Sequence, residues 1–328
     1  MRCLLMAILS TPLIFCMSAS GNTVQAAETY PAKTIVFIVP VEAGADGDIL
    51  ARPFVQNLST ILGQPIMVVN KPGAGSSLAY REVHGAKPDG YTIGCAYITI
   101  VSNKLQGIST IDHRNFTIMG TFYSWGPSVV ASTKTQRPFK TIEEVLAFAK
   151  SHPEEVSIAT GGVGTYLWIA TKAFEEGVGL KFNVIPTPGA AAFAMAQVAG
   201  GHTDLAVVGL ASAKPQIEAG NIHLLAGITS KRFSEPYNNV PTLKELGYDV
   251  VIESTSTIIG PPKMPGDIID KIAKSSQKAV NSPNYQKFTM ERTATAIYLP
   301  PHEAVHYLDE QIKIYRSIME KAGVLKEK

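Results

Sequence analysis

Three stretches of small residues sit where a charged small molecule is most easily held. Val41-Glu42-Ala43-Gly44-Ala45-Asp46-Gly47-Asp48 follows an apolar run at 34–40 and leads into a helical pattern. Gly161-Gly162-Val163-Gly164-Thr165 follows a run at 156–159, and Thr187-Pro188-Gly189-Ala190-Ala191 follows one at 182–185. Each reads as a turn from a buried strand into a helix. There the first backbone N–H groups of the helix have no acceptor within it. The helix start also carries about half a positive elementary charge, which draws an anion. Two such starts facing each other would hold a carboxylate with no lysine or arginine. Glycine alone would explain any one turn, but three of them in two successive strand–helix sets favour binding.

Other chemistries lack their residues. No G-x-S-x-G, G-x-G-x-x-G or G-x-x-x-x-G-K-[ST] pattern occurs, which argues against a serine hydrolase and a nucleotide site. Glu42, Asp46 and Asp48 resemble a hard-cation cluster, but their spacing does not fit a calcium loop. Asp48 is better placed to cap the helix that follows. His302 and His306 stand four apart on a helical pattern without a third ligand, and read as surface residues. No catalytic residue, metal or cofactor is expected. Tyr97, Tyr123, Trp125, Tyr166 and Trp168 lie in or beside the turns, either as core aromatics or as pocket walls that select ligands by shape. Thr99, two residues beyond Tyr97, and Gly209, which ends the run 205–208, are further candidate contacts.

The composition is globular: 328 residues, 45% hydrophobic and 17% charged, with a formal net charge of +2. Such a length carries about two domains. Charges are interspersed, so the basic footprint of a nucleic-acid binder is missing. Arg2, the apolar run 4–17 and Val24-Gln25-Ala26 form an export leader, with cleavage expected near Ala26. That run is shorter than the ~20 residues of a membrane span. Cys3 and Cys16 fall in the leader. Cys95 is left alone and reads as a buried strand residue. The expected mature protein is exported, soluble and monomeric.

The elements that must position these turns alternate between strand and helix from residue 34 onward, which implies parallel sheets covered by helices. Pro53 predicts a kink, or a helix that begins near Arg52. A short helix is expected over 241–248 and a strand over 250–259. Val305, Leu308, Ile312, Tyr315 and Met319 mark the buried face of a final helix. The strand–helix rhythm restarts after Tyr123-Ser124-Trp125, and Glu253-Ser254-Thr255 is read as the return crossing. This divides the chain into a leader (1–26), one domain from 27–124 with 254–328, and a second from 125–253. Ligands of open α/β sheets bind at the carboxyl ends of the strands.

In this order the chain resembles the solute-binding proteins of tripartite tricarboxylate transporters, the Bug family. The resemblance is carried by Tyr30-Pro31-Ala32-Lys33, Asp48-Ile49-Leu50-Ala51-Arg52, Gly63-Gln64-Pro65, Asn70-Lys71-Pro72-Gly73-Ala74-Gly75 and Pro88-Asp89-Gly90-Tyr91-Thr92. Ala199-Gly200-Gly201-His202-Thr203-Asp204, Ile217-Glu218-Ala219-Gly220 and Val240-Pro241-Thr242 continue it. It implies an α/β, two-domain periplasmic binding protein, type II-like, each domain a mainly parallel sheet flanked by helices, with a ligand cleft between them. Such a clamp captures small carboxylates and delivers them to membrane permease subunits. The implied contacts are Val41 to Asp46 with Asp48, Tyr97 and Thr99, and, from the second domain, Gly161, Gly164, Thr165, Trp168, Pro188, Gly189, Ala190, Asp204 and Gly209. A periplasmic sensor component is the alternative within binding, and an exported hydrolase the alternative outside it.

Departures from the family pattern bear on the ligand. Where the family's cradle reads P-F-x-P-G-G-S/T-x-D, this chain has Asp46 at the hydroxyl position and Glu42 as an extra acid. Trp168 stands where histidine is common, and the tyrosine usual before Gly189 is replaced within Pro186-Thr187-Pro188. A ligand carboxylate is repelled by these acids unless they face away. The expectation is a carboxylate with an aromatic or otherwise apolar body, with a donor or positive group for Glu42 or Asp46.

Overall fold

The computed structural model describes residues 30–187 and 191–327, with the backbone alone at Asp46 and Ala191. The leader and the Pro188-Gly189-Ala190 turn lie outside the described residues. The first half runs β1 (Ile35–Val39), α1 (Asp46–Leu62), β2 (Ile66–Asn70), α2 (Ser77–His84), β3 (Thr92–Ala96), α3 (Thr99–Leu105) and β4 (Thr117–Trp125). A second set follows: β5 (Pro127–Ser132), α4 (Ile142–Ser151), β6 (Ser157–Thr160), α5 (Tyr166–Val178), β7 (Asn183–Pro186), α6 (Ala191–Ala199), β8 (Leu205–Gly209), α7 (Leu210–Glu218) and β9 (Ile222–Gly227). The chain then returns through β10 (Ser254–Gly260) to α8 (Gly266–Val280), α9 (Pro283–Glu291) and α10 (Pro301–Lys321).

Two five-stranded sheets result, ordered β2-β1-β3-β10-β4 and β7-β6-β8-β5-β9. In each, one strand second from an edge runs against the others: β10 is antiparallel to β3 and β4, and β5 to β8 and β9. Both sheets are therefore mixed but mainly parallel. Each carries helices on its faces, so the chain has two lobes.

The crossing between lobes is a pair of neighbouring chains. Trp125 closes β4 opposite Ser254 at the start of β10, and Pro127 opens β5 two residues later. The carboxyl end of β3 pairs with β10 near this point, and that of β8 pairs with Pro127 itself. Register alone thus brings the carboxyl edges of both sheets to the crossing. The turns expected to hold a ligand follow those edges.

Several local expectations are corrected. α1 begins at Asp46 and runs through Pro53. The ring removes one backbone bond, but Ala51, Phe54, Val55 and Leu58 are all buried, and that packing outweighs the loss. α3 was not expected from the polar-aromatic stretch 97–99. Residues 241–248 form turns rather than a helix: Thr242 and Glu245 make the reciprocal bonds of a helix start, but Gly247, at φ +88°, ends the turn before a helix can extend. Cys95 is buried in β3, which pushes its thiol up to about 12. His302 and His306 are both exposed.

The final helix buries Leu308, Ile312, Tyr315 and Met319 as its spacing predicts. It is also tied by charge. Asp309 accepts from the Arg114 guanidinium at 2.7 Å and contacts His113 Nε2 at 3.1 Å, while buried Asp112 accepts from Lys104 at 2.8 Å. Burial works to raise both carboxyls, but these bonds outweigh it and hold them below their usual range. Burial pushes His113 down despite Asp309. The unfolded chain therefore takes up protons first. Thermal stability should begin to fall as pH drops below the unfolded histidine value of 6.5, and fall more steeply near the unfolded aspartate value of 3.8. Melting curves from pH 7 to 3 check this, with the early part of the decline absent in His113→Gln. A melting temperature flat from pH 7 to 4 would contradict it.

Candidate functional site

The cradle after β1 is shaped by a polar network beneath it. Asp48, only 2% exposed, accepts from Gly44 N and Arg52 Nε through Oδ2, and from Asn70 Nδ2 through Oδ1, each at 2.9 Å. Arg52 Nη2 lies 2.9 Å from both Asp48 Oδ1 and Asn70 Oδ1, and Asn70 Nδ2 also holds Val41 O at 3.0 Å. One carboxylate therefore fixes both ends of the loop 41–45. Burial pulls its pKa upward, but the bonds from Arg52, Gly44 and Asn70 outweigh this and keep it charged. The expectation that Asp48 caps α1 and touches ligand is corrected. The N-cap is Ala45, and all of Asp48's bonding is spent inside the protein. Its charge is neutralised there and does not oppose an incoming anion.

Above this network the backbone is open. Gly44 has φ +82°, and a Cβ there would meet nothing within 4 Å. Glu42 and Ala43 are exposed, and Val41 is half-buried. Tyr97 reaches under the first turn of α1, where a Cβ on Gly47 would collide with its hydroxyl. The Tyr80 hydroxyl accepts from Tyr97 N at 3.1 Å and lies 2.7 Å from Thr99 Oγ1, fixing both predicted residues beside the cradle.

The turn after β2 was missed as part of the site. Gly73, Ala74, Gly75 and Ser76 all have positive φ, from 47° to 116°. Holding Ala74 and Ser76 there costs of order 1–3 kcal/mol each, strain of a kind that collects at ligand clamps. Asn103 on α3 holds the turn by donating to Gly75 O at 2.6 Å and Ser77 Oγ at 3.0 Å. The motif Gly73-Ala74-Gly75 was the signal that could have flagged it.

In the second lobe, Gly161, Gly164 and Thr165 lie together between β6 and α5, and Gly209 ends β8. Trp125 packs on this edge: a Cβ at Gly209 would lie 3.0 Å from its ring, and its ring meets that of Tyr166 edge-on at 4.9 Å. Tyr166 donates to Ile252 O at 3.1 Å and Trp125 O at 3.3 Å, so it sits on the crossing.

Two predicted contacts stand elsewhere. Asp204 precedes β8 at the end remote from Gly209, about 17 Å away at ~3.3 Å per residue. There it accepts from Ser157 N and Oγ and from Arg137, tying β6 to β8. Trp168 is 4% exposed within the core shared by the two lobes, because the first turn of α5 points that side of the helix inward.

The helix starts that reach this convergence have a common chemistry. None of α1, α2, α5 and α7 receives a side-chain cap. Two of their N-cap residues carry hydroxyls, but these donate elsewhere, Ser76 to Pro40 O and Thr165 to Gly162 O. α3, α8, α9 and α10 likewise lack a side-chain cap, and among the described α-helices only α4, with Thr141, has one, so what matters at these four starts is their place after the carboxyl ends of strands. The N–H groups at the convergence therefore remain for a ligand. Nearby cations are already engaged, Arg52 with Asp48 and Lys71 with Glu82. Apolar side chains stand at the rim: Leu78 at 42% exposure, Val163 at 50% and Phe193 at 55%. Such an arrangement suits an anion, and among the described residues it holds no nucleophile–base pair.

Comparison with known proteins agrees with that chemistry. A model of the tripartite tricarboxylate transporter family receptor matches residues 50–324. A Cupriavidus necator protein named for the gbd 5' region is 30% identical over 305 residues, 92% of this chain and 90% of its own. The structure of a solute-binding protein from Polaromonas aligns with TM-score 0.77 at 27% identity, covering 89% of this chain and all of that one. A R. palustris protein with adipate aligns with TM-score 0.76 at 24% identity, covering 90% and 99%. The chain belongs to the tripartite tricarboxylate transporter receptor family, whose members are periplasmic solute-binding receptors rather than enzymes.

Proposed function

We propose that the protein captures a small carboxylate with an apolar body and hands it to the membrane permease subunits of a tripartite transporter. The observation that supports this is the set of four helix starts, α1, α2, α5 and α7, at the carboxyl edges of the two sheets, with the adjacent cations Arg52 and Lys71 already paired. Helix starts neutralise one or two carboxylates, whereas a polyanion needs free cations. The apolar rim of Leu78, Val163 and Phe193 favours a hydrocarbon body, and the R. palustris neighbour's adipate is a carboxylate of that kind. The contacts are Val41, Glu42, Ala43, Gly44, Ala45 and Asp46 from one lobe, with Tyr97 and Thr99. Gly161, Gly164, Thr165 and Gly209, with Pro188, Gly189 and Ala190, complete the proposed contacts from the other lobe. The protein works as an exported monomer cleaved near Ala26. Its domains are 27–124 with 254–328, and 125–253, and the lobes close by hinge motion at Trp125 and Ser254.

A thermal-shift panel tests the ligand class. At a hundredfold excess over Kd, a ligand contributes about 2.7 kcal/mol, roughly 5–10 °C in a protein of this size. Adipate and phenyl-bearing carboxylates should produce such a shift and citrate should not. Stabilisation by citrate-like polyanions alone would overturn the proposal.

A further inference from the structure

We propose that Gln106 is a strap across the cleft that sets the position of the second lobe's anion cradle relative to the first. The effect on ligand retention rests on the binding function above; the effect on lobe geometry does not. Gln106 closes α3 in the first lobe, and its Nε2 donates to Gly164 O, in the second lobe, at 3.0 Å. Gly164 has φ +79°, and a Cβ there would lie 2.5 Å from Gln106 Oε1 and 2.6 Å from its Cδ. Glycine is thus required twice, once for the backbone and once to admit the amide.

The bonded carbonyl belongs to the peptide that carries Thr165 N. That N–H donates to Gly162 O at 3.0 Å, and the Thr165 hydroxyl donates to the same oxygen at 2.7 Å. Fixing the Gly164 carbonyl therefore orients the peptide from which α5 starts, together with the N–H groups offered to an anion. Gln106 is itself anchored. Its own N–H donates to Ser102 O at 2.9 Å, and Leu105 O beside it accepts from Lys326 N at 2.9 Å and Glu327 N at 3.1 Å. The Glu327 carboxylate pairs with Arg316 and reaches Lys104 at 3.8 Å. The end of α3 is thereby bolted to residues 324–327.

The apolar packing of α5 on α10 holds the lobes together but does not fix the Gly164 peptide, and the other polar contacts between the lobes cannot play this part. The Tyr166 bonds reach the crossing chains, on the hinge itself, and survive rotation about it. Lys321 and Glu176 pair at the surface, where an ion pair contributes little. Gln106 and Gly164 both lie outside the crossing, so their bond breaks when the lobes part.

The variant Gln106→Met, which keeps the length and removes the donor without adding charge beside the cradle, tests the strap. Lys87 and Lys150 are exposed on separate lobes, so Lys87→Cys and Lys150→Cys accept nitroxide labels while buried Cys95 does not. Pulsed electron resonance without ligand should give a broader, displaced distance distribution in Gln106→Met, at a melting temperature within about 3 °C of the parent. Adipate dissociation should quicken by about three- to tenfold, the range of one neutral hydrogen bond, with association little changed. Superimposable ligand-free distributions would overturn the strap. Adipate that leaves the parent protein's distribution and melting temperature unchanged would overturn the choice of ligand, while the ligand-free comparison still decides the strap.

Discussion

Asp48→Ala should cut adipate affinity by about a hundredfold and lower stability by about 2–4 kcal/mol. The substitution leaves the Arg52 guanidinium, the Asn70 amide and Gly44 N without the carboxylate that satisfies all three. Losing one partner of a buried pair costs about 3–5 kcal/mol. Arg52 is half exposed and recovers part of that in water. The loss of affinity has a separate origin. With Gly44 N released and Asn70 no longer aligned on Val41 O, the loop 41–45 samples many shapes, and binding must then order it at an entropic cost. Asp48→Asn, which keeps one acceptor oxygen, should fall between. Calorimetric titration with adipate and denaturant unfolding measure the two effects. Lowered stability with unaltered affinity would mean that the loop takes its shape from elsewhere.

Trp168→Ala should destabilise the protein by about 3–5 kcal/mol, roughly 10 °C in melting temperature, and change adipate and phenyl-bearing ligands alike. The indole is 4% exposed in the core that α5 shares with the first lobe, with Lys172 Nζ 5.9 Å above its ring. Its removal leaves a cavity that neighbouring helices fill only partly. A loss confined to ring-bearing carboxylates, with stability unchanged, would instead make Trp168 a pocket wall.

Much of this was legible in the chain. The alternation of short apolar runs with helical patterns determined two strand–helix sets, because period and length are local properties. The same reading placed the strand-to-helix turns at 41–48 and 161–165 and most of the buried face of the last helix. It failed where a residue's role depends on distant partners. Pro53 argued locally against α1 starting at Asp46, and only the burial of Phe54 and Leu58 decided otherwise. Asp48 read as a helix cap and ligand contact, and Asp204 as a ligand contact. In the fold each is consumed by groups distant in sequence, Asn70 for the first, Ser157 and Arg137 for the second.

The sequence by itself determined the class of this protein: an α/β solute-binding receptor. Its motifs also determined the family, since they lie in order along the chain. Tertiary structure decided which of the acidic and aromatic residues can meet a ligand. Their type and spacing leave that open, because a carboxylate's charge is available outside only if no buried guanidinium or amide has already taken it. The strap between Gln106 and Gly164 was likewise beyond sequence reading. Fifty-eight residues separate its partners, and only the crossing of the two sheets brings them within 3.0 Å.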